Sequence, residues 1–555
     1  MSEKSLVVMP FPKSSYEINW QYISYTLLGY GIIIRIYHFL VNRSLWLDEI
    51  YLSSSLLKMS LAELASSPLD YQQQAPVGLL IVIKICVMTF GNNEMTLRLI
   101  PLLCGIASLF AFYRIAKYYL SPVGVFISTA MITTAPFLVF HSVEIKQYSS
   151  EMLMSSVAIL LYIKYNENRD WKSLLVWGLS GSLILWFSSS VIFLLAGIAC
   201  GLSIYHILKK NWQTVLLLFV PFALWMVSFL IHYFLFIYTS HKSEWLNLWF
   251  HGHNSFMPIS SVVSTSHWIA FQFYRFLEYP LGLLWVWDNQ TFSNFIIRNF
   301  MRMPLLPMVC FALGIVVWYG MEKKSFIILV FPILLTLIAS GLELYPVYER
   351  LTVFIAPVII LFISMGAQRL MAFKWIRPFS LVVVLLLLAA PVLSSIQQLK
   401  SPQSLGGYKN ADYREVFDFV EINHVSSEGV YVYWNLVAQY KVYKELSGLT
   451  YNGIEGKNLR SQATNEMTYL KLLESELIRL KGKKRAWLLF DNTLNFDIGD
   501  MSSETWYQTG QYGTQPGQRI LNMFKSRGKI IKSHTSKNAS AYLIDFEINS
   551  AGMRK

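Results

Sequence analysis

Long apolar runs separated by short Lys/Arg clusters fill residues 20–398, and a mixed polar pattern replaces them afterwards. A helix needs about 20 apolar residues to cross a hydrocarbon core. That length predicts spans near 20–40, 99–118, 122–140, 148–165, 173–189, 191–208, 213–238, 304–320, 325–342, 351–368 and 379–398. Residues 76–91 are apolar but short, with Lys84 at their middle, and read as a re-entrant or interfacial helix on the outer face. Counting such intermediate segments gives about 11–13 spans in all.

The cations set the orientation. Lys4 and Lys13 precede the first span, and Arg114, Lys117, Lys164 to Lys172, Lys209, Lys210, Lys323, Lys324 and Arg369 to Arg377 fall in alternate connections. Those connections are assigned to the cytoplasmic side. Two long segments then face outward. One covers 41–75 and carries Asp48, Glu49, Glu63 and Asp70; the other covers 239–303 and is rich in aromatic residues and His. Within the second, Trp268 to Leu284 has helical spacing and is expected on the membrane surface, as part of a lid or groove.

After the last span, Ser401-Pro402 and Gly406-Gly407 mark a linker at 399–409. Residues 410–555 then alternate helix and strand patterns. Helices are expected at Asp412–Asn423, with Asp412 as cap, at Thr468–Leu480 and at Gln518–Phe524. Strands are expected at Val430–Trp434, Ala486–Phe490, Lys529–Lys532 and Ala541–Phe546. The fold class is therefore an α-helical polytopic membrane protein, with its catalytic domain in 1–398 and a C-terminal extracytoplasmic α/β domain in 410–555.

Composition agrees. Of 555 residues, 54% are hydrophobic and 14% charged, whereas a soluble domain carries about 25% charged residues. The net charge of +13 fits cytoplasmic anchoring to anionic lipid better than nucleic-acid binding. Cys86, Cys104, Cys200 and Cys310 lie in apolar stretches and imply neither a disulfide framework nor a metal site. No Gly-rich phosphate loop is present in the C-terminal domain. The first apolar stretch is long and lacks a small-residue cleavage site, so a cleaved signal is not expected. The expected location is an integral plasma membrane, a bacterial inner membrane, with the C-terminal domain periplasmic or extracellular.

Chemistry concentrates on the outer face. Trp46-Leu47-Asp48-Glu49 follows the first span, Gln72-Gln73-Gln74-Ala75-Pro76 precedes the short apolar segment, Glu144-Ile145-Lys146-Gln147-Tyr148 joins two spans, and Tyr345-Pro346-Val347-Tyr348-Glu349-Arg350 precedes another. Each has a bland reading. Asp48 and Glu49 can stabilise a helix N-terminus, the glutamines can be solvated, and single cations such as Arg98 can reach to headgroups. Their shared face is more informative. A carboxylate there can take a proton from a hydroxyl, and cations there can hold a phosphate leaving group.

The residues Leu45-Trp46-Leu47-Asp48-Glu49, Gln74-Ala75-Pro76, Gly91, Glu94, Arg98-Leu99-Ile100-Pro101 and Glu144-Ile145-Lys146-Gln147-Tyr148 resemble the polyprenyl- or dolichyl-phosphate-sugar-dependent glycosyltransferases of family 39. That group includes protein O-mannosyltransferases and lipid A aminoarabinose transferases. The resemblance implies a GT-C type inverting glycosyltransferase with a polyprenyl-phosphate monosaccharide donor. It matches the family's catalytic Asp to Asp48, its second acidic position to Glu144 and its late Arg to Arg350. Glu49 and Glu144 would orient the sugars. Arg98, Lys146 and Arg350 would neutralise the donor phosphate, with Tyr148 and Tyr345 donating to it, and Gln74 and Pro76 would line the acceptor/donor pocket. Where the aminoarabinose transferases place a Lys before the prolines, this chain has Gln74, so one of the other cations must supply that charge.

No cofactor is required, and the acidic positions could hold a divalent metal. His251 and His253 do not form a ligand set. The expected partners are the donor lipid, a glycan, lipid or protein acceptor, and membrane lipids. A polyprenyl-linked glycan ligase or polymerase, and a lipid or solute transporter, are the alternatives.

Overall fold

The computed structural model describes residues 19–238, 243–285, 294–500, 506–507 and 516–547. Lys4, Lys13 and part of the 239–303 segment lie outside them. The chain divides into two compact units. One holds the described residues up to Val41, then Gln74–Ile83 and Arg98–Gly406; the other holds Asn42–Gln73, Lys84–Leu97 and Gly407 onward.

The first unit is helical. Among the described residues, seven helices are long and apolar enough to cross a membrane, and shorter apolar ones cover Val77–Phe90, Pro122–Thr134, Trp171–Leu185 and Leu305–Met321. Their positions follow the hydropathy pattern closely: the stretch expected at 148–165 is the helix Tyr148–Tyr165, and that expected at 20–40 is Trp20–Val41. The helix within Glu349–Ala372 is the central one, with 94% of its apolar window buried. It lies against Leu305–Met321 through two glycines. A Cβ on Gly366 would overlap the Cys310 carbonyl, and one on Gly314 would overlap the Phe362 carbonyl. Only bare backbone permits that approach.

One expected span and one expected surface helix differ in detail. The stretch 122–140 is two helices, Pro122–Thr134 and Pro136–His141, broken at Ala135, because Pro136 cannot donate to the turn before it. The fully buried Arg35 takes up carbonyls at that break: its guanidinium donates to the Ile132 oxygen at 3.1 Å and to the Thr133 oxygen at 3.3 Å. The helix expected over Trp268–Leu284 instead runs Val262–Glu278. Pro280 lies just beyond its end, and a residue preceding Pro disfavours helical backbone. Trp268, Gln272 and Phe276 bury one face at four-residue spacing.

The second unit is built on a five-stranded mixed sheet of β1 (Gly429–Val432), β2 (Ile454–Glu455), β3 (Arg485–Asp491), β4 (Lys529–Thr535) and β5 (Ala539–Asp545), in the order β2-β1-β3-β5-β4. β1 pairs in parallel with β2 and β3, while β5 is antiparallel to β3 and β4. Tyr431, Leu488, Phe490, Ile520 and Ile544 belong to its core. The sequence pattern had not marked β2 or the helix Val437–Ser447. Asp412 stands at the start of the helix Tyr413–Asn423 but makes no cap bond. Its carboxylate instead accepts from Ser536 Oγ and from the backbone amides of Lys537 and Asn538, fixing the turn between β4 and β5. The same unit takes in the helix Leu47–Lys58. Lys84 donates to the Leu56 and Leu57 carbonyls at 2.9 and 3.1 Å, closing the last turn of that helix, where carbonyls lack partners. A cation amid an apolar segment thus has a structural use.

Candidate functional site

In the first unit, the turn between the helices Pro136–His141 and Tyr148–Tyr165 carries the expected acidic and basic residues. Glu144 and Lys146 are both buried. The Glu144 carboxylate pairs with His141 Nδ1 at 2.6 Å, and the Tyr279 hydroxyl lies 2.7 Å from His141 Nε2. A chain of three titratable side chains therefore runs from Glu144 through the imidazole to a phenol at Tyr279, far away in sequence. Tyr148 lies against the His141 ring, with centroids 4.7 Å apart. Burial pushes the Tyr279 phenol well above its ordinary pKa; the Glu144 charge adds to this, Arg350 opposes it, and Glu349 and Tyr148 add less. Glu144, Tyr148, Glu349 and Arg350 thus act on one hydroxyl. Arg35 reaches the same turn, its Nε donating to Ser142 Oγ at 3.0 Å.

The other expected residues of this unit lie as follows. Arg98 is buried in the helix Glu94–Tyr119. Tyr345 donates to the Leu351 carbonyl at 2.7 Å. Burial first, and then the charges of Glu151 and Tyr148, raise its pKa well above the ordinary value. Gln74 is exposed, and Pro76 is buried just before the helix Val77–Phe90. Two residues further on, the Gly78 amide donates to the Trp186 carbonyl at 2.9 Å, and a Cβ on Gly78 would meet that carbonyl. His251 approaches Glu343 at 3.5 Å, and His253 stacks on Trp249. Among the described residues no group of three or more His, Cys, Asp or Glu is placed to hold a metal.

In the second unit, Asp48 and Glu49 open the helix Leu47–Lys58 and differ sharply. Glu49 is fully buried, pairs with Arg43 at 2.7 Å and accepts from the Trp46 amide at 3.2 Å. It closes the helix start. Asp48 is half-buried in the same first turn. The Lys409 ammonium sits over the Trp46 ring, 5.5 Å from its centroid. Tyr51, one turn on from Asp48, stacks on Tyr71 with centroids 4.4 Å apart. Its phenol is pushed well up by burial and by the charges of Asp497 and Asp48. Glu94 accepts from Tyr443 at 3.0 Å and pairs with Arg414. Sequence reasoning did not single out His141, Tyr279, Arg35 or Arg414.

Comparison with known proteins bears on the whole layout. Residues 73–240 match the family model described as dolichyl-phosphate-mannose-protein mannosyltransferase. The crystal structure of ArnT from Cupriavidus metallidurans bound to undecaprenyl phosphate shares the fold. Its TM-score is 0.51 at 10% identity, over 95% of this chain and 98% of that one. The chain has a GT-C type fold and resembles the family 39 glycosyltransferases. The oligosaccharyltransferase of Archaeoglobus fulgidus, tethered to an acceptor peptide, matches with a TM-score of 0.46 at 10% identity, over 86% of this chain and 70% of that one. No curated protein matches the chain. Family model, fold and apolar helices together support an integral-membrane glycosyltransferase.

Proposed function

We propose that the protein moves a monosaccharide from a polyprenyl-phosphate donor to an acceptor hydroxyl on the extracytoplasmic face, with inversion at the anomeric carbon. The Asp48 carboxylate takes the hydroxyl proton as the acceptor oxygen bonds to the anomeric carbon. The bond from that carbon to the phosphate oxygen breaks, and polyprenyl phosphate leaves with the electron pair. Arg98, Lys146 and Arg350 offset the charge gathering on the phosphate, and Tyr148 donates to it; Tyr345, expected beside Tyr148 as a donor, spends its one hydroxyl proton on the Leu351 carbonyl. Glu144, held by His141, orients the sugar.

The observation that carries this reading is the pairing of one buried carboxylate with a buried His–Tyr chain on which Arg350 also acts. Buried ionisable groups in a membrane protein are costly and mark functional sites. The undecaprenyl phosphate in the ArnT structure supports a lipid monophosphate as the group released from the donor. Asp48 suits a base because it is half-buried at the start of its helix, whereas Glu49 is fully buried against Arg43. The test is Asp48→Asn in native membranes with a radiolabelled lipid-phosphate sugar. Transfer should fall by about 10²–10⁴-fold, and unchanged transfer removes Asp48 as the base.

A further inference from the structure

The helix Tyr148–Tyr165 carries a row of polar atoms that the proposed reaction does not use. Gln147 Oε1, just before the helix, Glu151 Oε2 and Ser155 Oγ are all buried and lack hydrogen-bond partners among the described residues. Their four-residue spacing puts all three on one helical face. Glu151 is 4% exposed and Ser155 fully buried. The buried Ser190 faces the Glu151 carboxyl, and the Glu151 charge acts on Tyr345. Ser190 in turn lies 3.3 Å from Ser188. The row begins next to Tyr148, which lies against His141 and so borders the Glu144 relay.

Buried polar atoms normally find partners, and a run of exceptions on one face calls for an explanation. An apolar ligand would leave every one of them unsatisfied. Gln147 Oε1 accepts only, Glu151 offers acceptor oxygens, and the serine hydroxyls both donate and accept. That lining matches a polyol, whose hydroxyls supply several donors in a small volume.

We propose that Gln147, Glu151 and Ser155, with Ser190 opposite, form the subsite that grips the non-reacting hydroxyls of the donor sugar and sets which sugar is accepted. This rests on the glycosyl-transfer reading given above.

The test uses the full chain in nanodiscs with two probes, undecaprenyl phosphate and undecaprenyl phosphoryl hexose, and reads binding and thermal stability without turnover. The wild type should bind the sugar-bearing lipid more tightly than the bare one. Glu151→Leu should weaken the sugar-bearing lipid roughly ten- to hundredfold and leave the bare lipid unchanged. It should lower the Tm of the unliganded protein little, since one hydrogen bond from Ser190 is given up while an acid with an unpartnered buried oxygen becomes apolar. Ser155→Ala, a milder change, should weaken the sugar-bearing lipid several-fold and serves if Glu151→Leu does not fold. Equal losses for both lipids, or no loss for either because the row binds only ordered water, overturn the subsite. So does a fall in Tm without a change in discrimination. A wild type that discriminates between the lipids but transfers no sugar retains the subsite and ends the proposed reaction; one that transfers sugar without discriminating does the reverse.

Discussion

Two acidic motifs, each next to a cation in sequence or space, come to different ends. At the start of the helix Leu47–Lys58, Glu49 is closed off: Arg43 and the Trp46 amide take its carboxylate, and Asp48 beside it stays half-buried. At the turn before the helix Tyr148–Tyr165, Glu144 is just as buried but is held by an imidazole that passes the contact on to a phenol. A guanidinium partner fixes a carboxylate as an ion pair. An imidazole and a phenol form a chain along which a proton can shift. Burial alone therefore does not separate structural from chemical acids; the nature of the partner does.

Substitutions sharpen this contrast. After Asp48→Asn, the largest effect is expected at Arg350, which acts on the Glu144 side through Tyr279. Arg350→Ala should lower kcat for transfer by about 10²–10³-fold and change the Tm little, as followed by a radiolabelled transfer assay. The next largest is structural. Glu49→Ala leaves Arg43 buried without its partner and should cost about 3–5 kcal/mol, read as a large fall in Tm or loss of folded protein in detergent. Glu49→Gln should lose less, because it can still accept from the Trp46 amide. Tyr279→Phe removes one hydrogen bond from the relay and should cost about 1 kcal/mol of stability, with a several-fold loss of transfer; His141→Ala should lose more than Tyr279→Phe. The smallest effect is expected from chelation. If Arg98, Lys146 and Arg350 carry the phosphate charge, EDTA leaves the rate unchanged, whereas a loss restored by a divalent cation assigns that charge to a metal.

The helical framework was readable because hydropathy in a bilayer is a direct constraint: runs of apolar residues of the right length leave few alternatives. What hydropathy does not encode is how a run is interrupted. The break at Ala135 depends on Pro136 and on Arg35 reaching across to the freed carbonyls, and the helix Val262–Glu278 stops short of Pro280. In the second unit, Asp412 had the sequence signature of a cap, but the turn between β4 and β5 offers its carboxylate three donors. The helix Val437–Ser447 left a weak trace because its buried side chains include Gln439, Tyr440 and Tyr443, residues of mixed character.

Of the candidate site, Glu144, Lys146 and Tyr148 were legible as one short motif, and Asp48 with Glu49 as another. The division of labour between Asp48 and Glu49 was not, since it turns on Arg43, five and six residues upstream. His141 had a faint signal: an imidazole in an apolar run, three residues before an acid. Tyr279 had none, because its partner lies 138 residues away and nothing local marks that pairing.

The central claim is that sugar leaves a lipid monophosphate and becomes bonded to an acceptor. Native membranes carrying the protein, given undecaprenyl phosphoryl sugar labelled in both sugar and phosphate, test it directly. The account predicts that the sugar label moves to the acceptor with inverted anomeric configuration while undecaprenyl monophosphate is released. Release of a lipid diphosphate, retention of configuration, or arrival of the intact labelled lipid at the opposite face with no bond broken would contradict it.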